Sequence, residues 1–356
     1  MKISFCADIH IANHQRMGGP VLSGLNRRCA LALRVFKDAV QGSQTDLMVV
    51  LGDLVDTTRP EPQVLTGIQE AIGSKRVVLL MGNHDQVSTK PGDHALGPLA
   101  PVANVIERPT VLAFPGGALF CVPFRPGRAR DWLPEVVATL APEKTAGGKV
   151  LLLHLGLMGD DVPAYLKDAH DAVPASLVKE LCEQHGMDAA FAGNWHGYRE
   201  FPGNVFQCGT LCPTGFDNPG LEGYGQVLTW DFATKTMSRV EVEGPRFLKL
   251  KTKRLPLHMA LPPGDLYVQI MAEAEQVAGA KAWLDTARDA GLVLDGEVVL
   301  DDVEVKVAAR TAATVARSAK TLDEAVAGFV AQMPMPDGVD REAVLARVKG
   351  YLGGAE

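Results

Sequence analysis

Five short groups of metal-ligating and proton-transferring residues recur along this chain: Asp8-Ile9-His10, Gly52-Asp53-Leu54-Val55-Asp56, Gly82-Asn83-His84-Asp85, the lone His154, and Gly193-Asn194-Trp195-His196. Carboxylate and amide oxygens mixed with imidazole nitrogens are the donor set of a divalent-metal centre, and one carboxylate shared by two ions makes it dinuclear. Such a centre suits phosphoester hydrolysis: the cations lower the pKa of a water that attacks phosphorus in line, and they offset charge in the transition state. A histidine standing alone after a strand is usually a loop residue, the reading given to His14, His94, His170, His185 and His258. Asp53 by itself would equally suit a turn or helix cap. Five polar groups at successive strand ends are a different matter.

The elements that must position them are visible as apolar runs. Strands are expected over Lys2–Ala7, Leu47–Leu51, Val77–Met81, Val150–Leu153 and Ala189–Ala192, with helical periodicity over Asn26–Val40 and Gln63–Ile72. This alternation predicts a layered α/β core with ligand chemistry at the carboxyl ends of its strands. Asp8-x-His10 and Asn194-x-His196 are expected to project paired side chains to one side of an extended strand end. Glycines 52, 82 and 193 are expected to let the backbone turn sharply before each ligand. Shorter β-type runs between Val105 and Phe124, and over Tyr224–Phe232 and Ser238–Val242, complete a two-sheet β-sandwich flanked by helices.

After Gly244-Pro245 the composition changes. Residues 1–248 are expected to form the main domain and 249–264 a basic, Pro-containing linker. Residues 265–333 form a small α+β capping module, with strand Leu266–Met271, helix Glu273–Ala290, strand Glu297–Val307 and helix Leu322–Gln332. Residues 334–356 hold a terminal helix over Arg341–Leu352.

The chain has 356 residues, 47% hydrophobic and 22% charged, which describes a globular protein long enough for a large domain and a smaller one. Its net charge of −7 argues against gripping nucleic acid by bulk charge, although bound cations and local arginines can supply a positive field where it matters. No apolar run approaches the roughly 20 residues of a bilayer span. The N-terminus lacks a signal-peptide pattern, and the six cysteines show no disulfide framework. A reduced, cytoplasmic setting away from membranes is expected. The single Cys208-x-x-x-Cys212 spacing, without a second half, assigns no zinc.

The order of the motifs (DxH, GDxxD, GNHD, a lone His, then Gly193 to His196) resembles the calcineurin-like metallophosphoesterase superfamily over about residues 1–245. The longer stretches ADIHIANHQ at 7–15, GDLVDTTRPEP at 52–62, GYGQVLTWDF at 223–232 and EGPRFLKL at 243–250 are similar to SbcD-type DNA repair nucleases and their phage relatives. The resemblance implies that Asp8, His10, Asp53 and His196 hold one metal, and that Asp53 bridges to a second held by Asn83 and His154. It places His84 beside the scissile phosphate, as proton donor or charge stabiliser. Asp85 is expected to orient His84 through a hydrogen bond. Asp56 either orients the bridging region or caps the following helix.

The chain departs from the family at Asn194-Trp195-His196, where His-x-His is usual. Asn194 can bind only through its amide oxygen, a weaker and harder ligand. The second site is then retuned toward Mn²⁺ or Mg²⁺, filled only when substrate phosphate completes it, or lost in a chain kept for binding. The presence of the other ligands and His84 favours the first two. The expected function is therefore a nuclease with two divalent ions, Mn²⁺ above all. A phosphoesterase for nucleotides or other small phosphoesters is the principal rival, and a weakened DNA-binding scaffold is the other.

Candidate phosphate contacts are Arg16, Arg27, Arg28, Arg59, Arg125, Arg128 and Arg130, each of which taken alone reads better as a solvated surface charge. Trp195, between two ligand positions, is placed to stack on a base or to pack its loop. DNA is the expected partner. The resemblance further implies that the terminal helices dock on the coiled coil of an SMC-like ATPase, and it allows a homodimer.

Overall fold

A computed structural model of the chain describes residues 1–90, 92–141, 147–159, 169–216, 224–252, 261, 264–300, 327, 330, 331 and 340–352. Two six-stranded sheets dominate it. The first runs β16 (Thr236–Glu243), β15 (Tyr224–Asp231), β1 (Lys2–Cys6), β4 (Leu47–Val50), β5 (Val77–Leu80) and β6 (Asn104–Ile106). The second runs β13 (Arg199–Phe201), β14 (Val205–Gln207), β12 (Ala189–Gly193), β9 (Gly148–His154), β8 (Gly117–Val122) and β7 (Thr110–Phe114). In each sheet four strands are parallel, β1-β4-β5-β6 and β14-β12-β9-β8, and the remaining strands pair antiparallel.

Parallel neighbours need long crossovers. Helices α1 (Arg27–Gly42), α2 (Pro62–Ile72), α3 (Ala129–Leu140) and α4 (Ala175–His185) lie in these connections. Period-two alternation then sorts the strand residues. Ile3 and Phe5 join Val49, Leu51, Leu119, Leu152 and Phe191 in the core between the sheets. Cys6, Met48 and Val50 face the other way, against Phe36 of α1 and Ile68 of α2. Phe120, Leu151 and Ala190 do the same for Leu133 of α3 and Val178 of α4. Phe5 stacks on Phe191 with ring centroids 4.3 Å apart, closing the middle of the sandwich. The expected two-sheet architecture with flanking helices is the architecture found.

Helix α1 starts one residue later than its periodicity suggests, because the Asn26 side chain accepts from the Cys29 amide as an N-cap. Helix α3 lies where apolar periodicity alone is interrupted by Pro134, inside its span. Smaller pieces are a hairpin, β2 (Val21–Leu22) with β3 (Leu25–Asn26), and a parallel pair, β10 (Gly156–Met158) with β11 (Ala172–Pro174). A three-stranded sheet follows in the order β17 (Arg246–Lys251), β18 (Leu266–Ala272) and β19 (Asp295–Leu300). Helix α5 (Val277–Asp289) lies between β18 and β19 in the chain, and helix α6 (Arg341–Leu352) follows later.

The chain divides into two compact units, one of residues 1–270 and 281–297, the other of residues 271–280 and 298–356. The site described below lies within the first. In the second, the Arg341 guanidinium donates to the Val330 carbonyl at 2.7 Å. The part of the strand expected beyond Leu300, and most of the helix expected over Leu322–Gln332, lie outside the described residues. No helix among the described residues is long and apolar enough to cross a membrane.

Candidate metal centre

The carboxyl ends of β1, β4, β5, β9 and β12 bring the five motifs to one place. Three overlapping sets of donor atoms lie within 4.8 Å of one another: Asp8, His10 and His196; His10, Asp53 and His84; Asp8, Asp53 and His154. His10 Nε2 and His196 Nε2 are 3.0 Å apart, and His154 Nε2 is 2.9 Å from Asn83 Oδ1. Asp53 stands between them. Its Oδ1 accepts from the His84 amide at 2.9 Å. Its Oδ2 lies 3.4 Å from His154 Nε2 and 3.9 Å from His10 Nε2. One oxygen is thus engaged by backbone, and the other is directed at both imidazoles.

Tautomers are set from behind. His154 Nδ1–H donates to the Leu51 carbonyl at 2.6 Å, and His10 Nδ1–H donates to Asp56 at 2.9 Å. Each leaves Nε2 facing the shared carboxylate, as ligating imidazoles require.

The backbone does not reach this arrangement by the extended strand ends that the spacing suggests. Strand β1 stops at Cys6, and Asp8 and His10 have φ of +53° and +52°. Asp53 at +52° and Asn194 at +86° share the left-handed region. Each such residue costs roughly 1–3 kcal/mol unless its surroundings enforce it. Here they do: the Asp8 amide donates to Gly52 O, those of Ile9 and His10 to Asp53 O, and that of Ile11 to Leu54 O. Thr210 Oγ1 donates to Asp8 O at 2.5 Å.

The glycines also need correction. Only Gly52 has a positive φ, +95°, and a Cβ there would sit 2.0 Å from His154 Nδ1. Gly82 and Gly193 have ordinary φ and are needed for space, since a Cβ would come 2.1 Å from Asp53 Oδ1 and 2.2 Å from Leu51 O respectively.

The electrostatics are those of buried carboxylates packed against imidazoles. Burial, aided by Asp53, pushes the Asp8 carboxyl up to about 7. Asp53 goes the other way: burial opposes ionisation, but His154 and His10 overcome it and hold it down at about 2. His154 is buried, which disfavours its charge, yet Asp53 raises it to about 9. His196 is lowered to about 4 by burial and by His10. A cation among these carboxylates would take the place of the protons they now hold on the imidazoles.

Asp56, undecided from sequence, proves to be the orienting carboxylate. Helix α2 begins later, with Glu61 at its N-cap, so Asp56 does not cap it. Its oxygens lie 2.9 Å from His10 Nδ1, 3.1 Å from His84 Nδ1 and 3.5 Å from His14 Nδ1. Burial works to raise its pKa, but the hydrogen bonds from His10 and His84 hold it well below the usual carboxylate range. The hydrogen bond to Asp56 in turn raises His84 to about 9 against partial burial.

Asp85 does not meet His84 in the way expected. Its fully buried carboxylate accepts from the amides of Gly82 at 2.8 Å, Asp53 at 2.9 Å and Val55 at 3.2 Å. It ties two ligand loops together, because a carboxylate turned inward finds unpaired loop amides before it finds a side chain. His14, read as an ordinary loop histidine, belongs to the Asp56 cluster and donates to the His10 carbonyl at 3.0 Å.

The Trp195 ring lies against Gly156, where a Cβ would come 2.4 Å from it. Arg27 donates to the Leu294 carbonyl, Arg28 to the carbonyls of Arg16 and Thr214, and Arg16 pairs with Glu297. Arg59, Arg125, Arg128 and Arg130 are exposed, and the Arg125 guanidinium lies 5.7 Å from the Trp132 ring centroid.

A family profile for calcineurin-like phosphoesterases matches residues 1–198, more than half of the chain. The chain belongs to the calcineurin-like phosphoesterase family. It is a metallophosphoesterase, and its family binds two divalent metals. The donor set fits that requirement: the carboxylates of Asp8 and Asp53 and the imidazoles of His10, His84, His154 and His196 converge, with the Asn83 amide oxygen beside His154.

Among similar solved structures is the phosphopantetheinyl hydrolase of Mycobacterium tuberculosis, 13% identical, matched over 59% of this chain and 89% of that one with a TM-score of 0.39. Another, described as a 5'-nucleotidase from Staphylococcus aureus in complex with alpha-ketoglutarate, is also 13% identical, matched over 68% of this chain and 54% of that one with a TM-score of 0.39. At this similarity neither bears on the substrate of this chain.

Proposed function

We propose that this metallophosphoesterase hydrolyses phosphodiester bonds in DNA, as a nuclease of the SbcD type. The observation that carries the reading is Asp53 Oδ2, directed at His10 Nε2 and His154 Nε2 with His84 alongside. In this reading Asp8, His10, Asp53 and His196 hold one ion, and Asp53, Asn83, His154 and Asn194 hold the other, with Mn²⁺ favoured and Mg²⁺ tolerated. When bound, the cations lower the pKa of water and offset negative charge at phosphorus.

The remaining chemistry belongs to the chain. His84 is 41% exposed, so it can reach a substrate phosphate. Paired with Asp56, it carries its proton at neutral pH and donates it to the leaving oxygen or hydrogen-bonds a phosphoryl oxygen. Asp56 orients His84, and Asp85 holds the loops of Asp53 and Gly82 in register.

DNA as substrate is supported by the similarity of the stretches at 7–15, 52–62, 223–232 and 243–250 to SbcD-type nucleases. It is also supported by a cavity of about 400 Å³ lined by Phe124, Arg125, Trp132 and Gln86, whose Phe124 ring lies 6.4 Å from that of His154. Aromatic and guanidinium groups beside a phosphodiesterase centre suit an unstacked nucleotide. Arg59 and Arg128 are proposed as further phosphate contacts. Docking of helix α6 on an SMC-like ATPase completes the proposal.

The test uses labelled single- and double-stranded oligonucleotides with Mn²⁺, Mg²⁺ or Zn²⁺. Cleavage in Mn²⁺, lost on His84→Ala, is expected. Hydrolysis of a chromogenic phosphodiester with both oligonucleotides left intact would replace DNA by a small phosphoester.

A further inference from the structure

Asn194 occupies the position where the family resemblance calls for an imidazole, and its surroundings say how it substitutes. Its backbone amide donates to both Asp8 carboxylate oxygens at 3.0 Å, which places the residue beside the centre. Its side-chain nitrogen is held by one residue: Nδ2 donates to Asp171 Oδ2 at 3.0 Å and to the Asp171 carbonyl at 3.2 Å. Among the described residues nothing donates to its Oδ1. Turning the amide over would set that oxygen against two acceptor oxygens, so the network admits one orientation.

Asp171 is itself anchored. Its carbonyl also accepts from the Gly156 amide at 2.8 Å, at the start of the β10–β11 pair. The fully buried Gln207 accepts from the Leu157 amide at 2.8 Å and donates to the carbonyls of Ala192 at 3.1 Å and Gly193 at 2.8 Å. Together with Trp195 over Gly156, these bonds make the 193–196 loop and the β10–β11 pair one piece.

We infer that Asp171 is a positioning residue, fixing the Asn194 amide so that its oxygen is the donor offered to the second divalent cation in place of the usual imidazole. This rests on the metal-centre reading above. The charged acceptor does more than orient. Like the carboxylates behind metal-bound histidines, it draws the N–H protons toward itself and leaves the far end of the amide more basic. A neutral ligand is thereby made adequate for a cation that favours oxygen.

The experiment titrates Mn²⁺ into the metal-free full chain, counting bound ions and following the spin-coupled EPR signal of a dinuclear pair. Asp171→Ala is expected to weaken the second binding step by about 10- to 100-fold and leave the first unchanged. Asp171→Asn, whose amide oxygen can still accept from Nδ2, is expected to retain most of the affinity. In an Asn194→Ala background, Asp171→Ala is expected to add nothing. The inference is overturned if Asp171→Ala leaves the second step intact, weakens both steps equally, or acts undiminished without Asn194. A wild-type chain that binds no Mn²⁺ would instead overturn the metal-centre reading beneath it.

Discussion

Asp56→Asn separates the charge of the carboxylate behind His84 from its shape. The pair raises His84 from its ordinary 6.5 to about 9. Taken at face value this is roughly 3 kcal/mol of preference for the imidazolium. The His84 side chain is 41% exposed, however, and water screening reduces the usable part to about 1 kcal/mol, roughly a fivefold change in proton affinity. Because the folded-state value is raised, the stabilisation is complete below the ordinary 6.5 and is lost as pH rises through about 9. At saturating Mn²⁺, used because Asp56 also orients His10, the variant should therefore match the wild type near about pH 6, fall roughly twofold behind by about pH 8.5 and approach roughly fivefold only above about pH 9. The assay is initial-rate hydrolysis of a phosphodiester across that range, with the His84 titration followed by NMR in the metal-free chain. A deficit independent of pH, or an unmoved His84 titration, would refute the reasoning.

Other consequences follow from single contacts. Gly52→Ala places a Cβ 2.0 Å from His154 Nδ1 at a φ of +95°, and should cost about 3 kcal/mol in urea unfolding; a loss under about 1 kcal/mol would show that the loop relaxes freely. Gln207→Leu removes the partner of the Leu157 amide and of the Ala192 and Gly193 carbonyls, and should cost about 2 kcal/mol by the same measurement. All six cysteines are free and buried. Burial pushes the thiols of Cys6, Cys29, Cys121, Cys182 and Cys212 up to about 12 and raises that of Cys208 well above its usual value. A thiol reagent at mildly alkaline pH should find none in the native chain and all six after denaturation.

Much of the fold was legible because the parallel strands are short, fully apolar and end abruptly in polar residues. Val77–Leu80 running into Gly82-Asn83-His84 is an example. The same abruptness marked Asp8, His10, Asp53, Asn83, His154, Asn194 and His196, which the structure gathers. It could not tell Asp56 from Asp85, since both lie a few residues beyond a strand. Which one meets His84 depends on how the loop folds back onto the amides of Gly82, Asp53 and Val55. The left-handed conformations of Asp8, His10 and Asp53 were equally hidden, because hydrogen bonds between separate loops enforce them. His14, Asp171 and Gln207 carry no motif at all. Asp171 meets Asn194 only because β11 pairs with β10 and brings it there. The arginines near β1 misled for the opposite reason: their spacing suggests a phosphate patch, whereas Arg27 and Arg28 hold backbone carbonyls.

The most direct measurement strips the full chain of metal and adds Mn²⁺ stepwise, reading bound ions and phosphodiester hydrolysis on the same sample. The account predicts two ions per chain, as in its family, with turnover appearing as the second site fills and with Asp53→Asn unable to hold the pair. Hydrolysis undiminished in excess chelator, or a fully active Asp53→Asn chain, would contradict it.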